Sequence, residues 1–174
     1  MKRYTRLRQK TPLKRTGFKR RKHFINKSSL KYDMIEQTLH YIREIRKMES
    51  GYKCEICGRH QDQLPFPLSS FHILRRQTYP RLVLYKPNIL VACWATYQGG
   101  NFCHNVWHDS DAHEPRHKAI VKKIELRVGL DLPAYIERLK IAEISMPKLS
   151  LFNIDNQRFI YKHEYDRLKR EEGK

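Results

Sequence analysis

All four cysteines of the chain lie between Cys54 and Cys103, and no other feature limits its fold as much. The stretch opens with Cys54-Glu-Ile-Cys57, a Cys-x-x-Cys knuckle followed by Gly58. Backbone N–H groups must point at the sulfurs in such a turn, and a glycine tolerates the backbone this needs. Cys93 and Cys103 complete a set sufficient for one tetrahedral zinc. In a reducing compartment, cysteines so spaced with histidines nearby read as metal ligands. Two disulfides are the alternative reading of the same residues.

His72, Asn88, His104 and His108 stand in the same stretch. If a helix begins at Cys103, His104 and His108 are i and i+4. Both imidazoles then lie on one face, a turn apart, where they can share a metal ion. Asp109, Asp111 and His113 follow as further oxygen and nitrogen ligands.

The formal net charge is +18, which favours a polyanionic partner, nucleic acid by default. Residues 1–31 hold 13 Lys and Arg and no Asp or Glu; the remainder holds 23 basic against 18 acidic residues. The charge is therefore concentrated in a leader, residues 1–30, too polar and too self-repelling to fold alone. Its Lys14, Arg15, Lys19, Arg20, Arg21 and Lys22 are candidate phosphate contacts. No apolar run approaches the ~18–20 residues of a membrane span. The basic N-terminus has no apolar segment of a secretory signal. A cytoplasmic protein, with no membrane partner, is the expectation.

Met34, Ile35, Leu39, Tyr41, Ile42, Ile45 and Met48 predict a helix over 32–49, with Asp33 as its cap and Gly51 as its end. Residues 68–74 read as a strand carrying His72, and 88–94 as a second, apolar strand. Their long connection is expected on the surface. Within or just before it, Arg75, Arg76 and Arg81 are either phosphate clamps or a basic surface loop. The stretch 94–101 is a turn returning Cys103 to Cys93, or a loop whose Trp94 and Tyr97 stack on a base. Trp107 reads as core packing. Pro115 opens a helix that Gly129 stops, and Asp131 caps the next, with Pro133 in its first turn. Residues 149–154 read as strand or extended chain, and 157–172 as a charged helix.

The order His72, Asn88, His104, His108 resembles the HNH branch of the His-Me finger nucleases. Phe71-His72-Ile73, Tyr79-Pro80-Arg81-Leu82, Lys86-Pro87-Asn88-Ile89 and the leader's Thr11-Pro12-Leu13-Lys14-Arg15 look most like phage recombination endonucleases of the Rap/NinG type. The resemblance implies an α+β chain with a small ββα-metal core, a four-cysteine zinc knuckle beneath it and helices on both sides. It divides the chain into the leader 1–30, the HNH unit 31–128 and a helical extension 129–174. It implies a metal-dependent DNA endonuclease acting on duplex or branched DNA in the cytoplasm of a bacterial host. His72 is then the general base, and Asn88 pins the intervening loop. His104 and His108 hold one catalytic divalent ion, Mg, Mn, Zn or Ni, while Cys54, Cys57, Cys93 and Cys103 hold a structural zinc. The chain departs from the pattern twice. Phe71 stands where many members carry an Asp or His ligand. Residues 94–102 separate Cys93 from Cys103, where the family usually has a short spacer. The alternative function is a zinc-stabilised nucleic-acid-binding protein without catalysis.

Overall fold

The computed structural model describes residues 27–94, 102–109 and 112–173. The leader's six candidate phosphate contacts, Tyr97, Asp111 and the side chain of Asp109 lie outside them. Five helices and one two-stranded sheet are described, a mixture of helix and a small antiparallel sheet.

Helix α1 (Lys27–Glu49) buries Leu39, Ile42 and Ile45, three residues apart along one stripe. It begins five residues before the expected start, so Asp33 lies inside it rather than at its cap. The cause is local: residues 27–32 contain no Gly or Pro to stop the helix, and Leu30 and Met34 lie against the start of the last helix. Gly51 follows the helix with φ 60°, a left-handed backbone that glycine adopts without strain.

Strands β1 (Ser69–His72) and β2 (Ile89–Ala92) pair antiparallel, with Phe71 opposite Leu90 and His72 opposite Ile89. Both are shorter than expected. Their connection runs over the surface as expected through residues 75–80 and then turns inward. Two 3₁₀ turns, Pro80–Leu84 and Lys86–Asn88, bury Leu82, Val83, Leu84 and Asn88. Each turn has a proline at or beside its first position, where its fixed φ and missing N–H fit. The apolar Leu-Val-Leu run then has two cores to enter.

Helix α2 (Cys103–Asp109) follows the sheet, then α3 (Pro115–Val128) and α4 (Leu132–Ser145). Gly129 ends α3 at φ 71°, and the Asp131 carboxylate caps α4 by accepting from Ala134 N at 2.7 Å. Helix α5 (Leu151–Glu172) takes in most of the segment read as extended. Ser150 is the reason: its hydroxyl accepts from Asn153 N at 3.1 Å, so the chain turns helical immediately after it. Ile154 is then fully buried.

Helices α1 and α5 run parallel. Arg158 donates to Gln37 Oε1 in their first halves, and Tyr52 Oη, just past α1, donates to Glu172 Oε2 at the end of α5, both at 3.0 Å. One core joins Leu39 and Ile42 of α1 to Val83, Leu84, Ile89 and Ile154. The other joins the sheet and knuckle to α2, α3 and α4 through Phe71, Val91, Val106, Ile124 and Leu139. Strand β2 is buried throughout and contributes to both. Each such side chain contributes about 1.5–3 kcal/mol of burial. Among the described residues no helix is long and apolar enough to cross a membrane.

Candidate functional site

The sulfurs of Cys54, Cys57, Cys93 and Cys103 lie within 4.8 Å of one another. All four are free thiols, so the disulfide alternative is not what this structure forms. The knuckle supplies two, the end of β2 the third and the first turn of α2 the fourth. Backbone amides of Cys57 and Cys93 point at Cys54 Sγ at 3.4 Å, and that of Cys103 at Cys93 Sγ at 3.3 Å. Gly58, at φ 76°, closes the knuckle by donating to Cys54 O at 2.9 Å. Crowded thiols share protons. Hydrogen bonding with Cys103 draws the Cys54 thiol down to about 6, while hydrogen bonding with Cys54 pushes Cys103 up. A bound cation is what lets all four ionise together, and the cluster can hold a metal ion.

Two residues around this cluster were not singled out from sequence. Arg59 donates to Cys57 Sγ at 3.4 Å and Cys93 Sγ at 3.3 Å, and its guanidinium lies 5.4 Å from the Phe102 ring centre. A cation there offsets thiolate charge. Glu55, between the two knuckle cysteines, is 1 % exposed at its side chain and faces Arg46 of α1 and Arg127 of α3. It also accepts from Val91 N at 2.6 Å while its own N–H donates to Val91 O. Its position inside Cys-x-x-Cys was the available signal: a carboxylate beside thiolates needs a cationic partner.

His72 ends β1 and is buried, its Nε2 3.0 Å from Val83 O. A carbonyl only accepts, so Nε2 carries the proton and Nδ1 holds the lone pair. Burial pushes the imidazole below its usual range, opposed by the Val83 carbonyl. Asn88 is fully buried. Its Oδ1 accepts from Leu74 N at 2.8 Å, and its Nδ2 donates to Leu74 O at 3.0 Å and Leu82 O at 3.4 Å. The Asn88 carbonyl also accepts from Ile73 N at 3.0 Å. One residue thus fixes both ends of the segment that follows His72 and carries Arg75 and Arg76.

Helix α2 presents His104 and His108 one turn apart, with ring centres 5.0 Å from each other. Ser69 Oγ sits 2.8 Å from His104 Nδ1 and sets its ring. Phe71, fully buried, lies with its ring centre 5.6 Å from His104, 5.7 Å from His108 and 5.5 Å from Trp107. A phenyl ring therefore occupies the place beside both imidazoles. Trp107 packs there and stacks on His117 at 5.0 Å.

His72, His104 and His108 line one cavity of about 340 Å³, together with Ser70, Arg75 and Arg76. Three imidazoles, two guanidinium groups and the Glu36 carboxylate thus face a common space. Arg75 donates to His108 O at 3.1 Å, and Arg76 pairs with Glu36 at 3.0 Å. Arg81 is placed elsewhere. It donates to the carbonyls of Glu143, Ile144 and Met146 at 2.9–3.2 Å, closing the C-terminal end of α4. Trp94 donates to Pro67 O at 2.9 Å and rests near Phe66.

Comparison with protein-family models, with curated proteins and with solved structures found no match. The functional reading therefore rests on the chain's own residues.

Proposed function

We propose that the chain is a metal-dependent endonuclease of the HNH type. The observation that carries this is the convergence of His72, His104 and His108 on one cavity, with His72 held as a neutral base. With Nε2 committed to Val83, Nδ1 is the atom that takes a proton from the attacking water. Burial keeps that nitrogen unprotonated near neutral pH. The water oxygen bonds to phosphorus, the bond from phosphorus to the leaving sugar oxygen breaks, and that oxygen takes a proton from a solvent water. Arg75 and Arg76 hold phosphate oxygens at the rim of the cavity. Asn88 keeps the segment behind His72 fixed, so the base stays aimed.

His104 and His108 would hold one divalent ion. The donor set fits, because imidazole suits Zn or Ni, and the His104 bond to Ser69 Oγ through Nδ1 leaves Nε2 for ligation. A bound ion supplies Lewis-acid charge for the scissile phosphate.

The cysteine cluster is proposed to hold a structural zinc. Zinc–sulfur bonds of about 2.3 Å give a tetrahedral edge of about 3.8 Å, and Cys57 Sγ lies 3.7 Å from Cys93 Sγ. The ion would tie the knuckle, β2 and α2 together, holding the histidine helix against the sheet.

Incubating plasmid with the protein and Mn or Mg, with and without chelator, tests the enzyme reading; no nicking under any divalent ion refutes it. Phe71 favours the second reading, a zinc-stabilised nucleic-acid-binding protein, because its buried ring leaves the two imidazoles without a third protein ligand from β1. That protein binds DNA and does not nick it.

A further inference from the structure

A second, larger cavity of about 620 Å³ lies beside the histidine cavity. The two share Glu36, Arg76 and Gln77, so they adjoin across the Glu36–Arg76 ion pair. The far part of the larger cavity is lined by Lys31 and Tyr32 of α1 and by Lys148 in the connection between α4 and α5. Tyr32 is 57 % exposed, a large aromatic surface facing water in a cavity lined by four cationic side chains, Lys31, Arg76, Arg81 and Lys148, and two carboxylates, Glu36 and Glu143. Among the described residues Lys31 and Lys148 have no ion-pair partner. Arg76 does have one: Glu36, at the junction of the two cavities.

An excess of cationic side chains together with one exposed ring in a single cavity suits an unpaired nucleic-acid strand. The lysines meet successive phosphates, and the ring stacks on a base without reading its identity. The volume falls in the range that encloses a small ligand. A double helix, whose major groove alone is about 12 Å wide, does not enter it. Glu36 occupies on Arg76 the place a phosphate oxygen takes.

We infer that this cavity binds an unpaired strand and delivers it to the histidine cavity, with the Glu36–Arg76 pair opening to a phosphate as the strand passes. The inference rests on the nuclease reading for where the strand leads, but not for whether it binds.

The test is equilibrium binding of a fluorescent oligothymidine to the full chain without added divalent ion, so that a zinc on the cysteine cluster is not stripped. Tyr32→Ala lowers single-strand affinity roughly tenfold, the loss expected for one stacked base. Lys31→Gln and Lys148→Gln each flatten the dependence of log affinity on log salt by about 0.7. Glu36→Gln raises affinity by freeing Arg76. A blunt duplex loses much less than the single strand from Tyr32→Ala. Melting temperatures equal to the parent's confirm that each variant is folded. Unchanged affinity and slope across the tyrosine and lysine variants overturn the inference, and nicking by the parent would still leave the nuclease reading standing. Expected losses in a parent that nicks no DNA with any divalent ion keep the strand-binding cavity and remove the nuclease.

Discussion

His72 Nε2 lies 3.0 Å from the carbonyl oxygen of Val83, and that contact fixes which nitrogen of the ring carries the proton and which keeps the lone pair. Val83 sits in the first 3₁₀ turn of the connection between the strands, so the turn sets the tautomer. Burial holds the ring's pKa below its ordinary value near 6.5. The acid limb of the nicking profile should therefore fall at a pH below 6.5. Stability follows the same sign. The unfolded chain binds this proton more readily than the folded one, so the His72 contribution is complete above about pH 6.5 and is lost as pH drops towards the folded pKa. Nicking rate and melting temperature measured over that range check both; an acid limb above 6.5 would contradict the assignment.

Asn88→Ala should cost about 1–3 kcal/mol for each buried group left unpaired, Leu74 N–H first. Asn88→Asp should cost more. It keeps the acceptor but turns a carboxylate oxygen towards the carbonyls of Leu74 and Leu82. Denaturant titration of the two variants gives the order, and an Asp variant as stable as the parent would show that the amide does not donate there.

How much of this was readable beforehand depends on distance along the chain. The starts and ends of α3 and α4 were legible because Pro115, Gly129 and Asp131 act on their immediate neighbours. The start of α5 was not, since Leu149 and Leu151 alternate like a strand and mask the capping role of Ser150. The closeness of the four cysteines needed only their spacing and count. The ion cluster of Glu55 with Arg46 and Arg127 could not be read, because its members come from the knuckle and two distant helices. Nor could the contact of Phe71 with both imidazoles, which depends on the angle at which α2 meets β1.

Cys93→Ser should lower zinc content well below one ion per chain and unfold the region around β2 and α2. Folding and metal binding are coupled in such clusters, with apparent zinc energies of about 10–16 kcal/mol. Elemental analysis and circular dichroism decide. Full zinc occupancy in this variant would remove Cys93 from the set, despite its sulfur lying 3.7 Å from that of Cys57.

Deleting residues 1–26 should leave the fold intact, because α1 begins at Lys27 and its buried stripe starts later. DNA affinity should fall and its salt dependence should become shallower, as fewer counterions are released. A salt slope identical to that of the full chain would show that the leader makes no phosphate contacts.

The three histidines of the cavity should separate on metal titration. His72→Ala removes a proton acceptor, a loss of roughly 10²–10⁴ in rate for a positioned base. It also leaves Val83 O without its donor, at a cost of about 1–3 kcal/mol. Metal concentration should not restore the rate, because an added ion does not take the water's proton at that position. His104→Ala and His108→Ala should also abolish nicking at low metal, and high metal should partly restore it, since each variant keeps one imidazole. Phe71→His should move the titration the other way. It places a nitrogen ligand between rings whose centres lie 5.6 and 5.7 Å from the present phenyl, so less metal should be needed. Packing makes an opposite forecast. If His72 only fills the core, activity should track the folded fraction, and every variant should lose rate in proportion to its melting temperature. A folded His72→Ala that nicks at the parent's rate would remove the mechanism while leaving the cysteine cluster untouched.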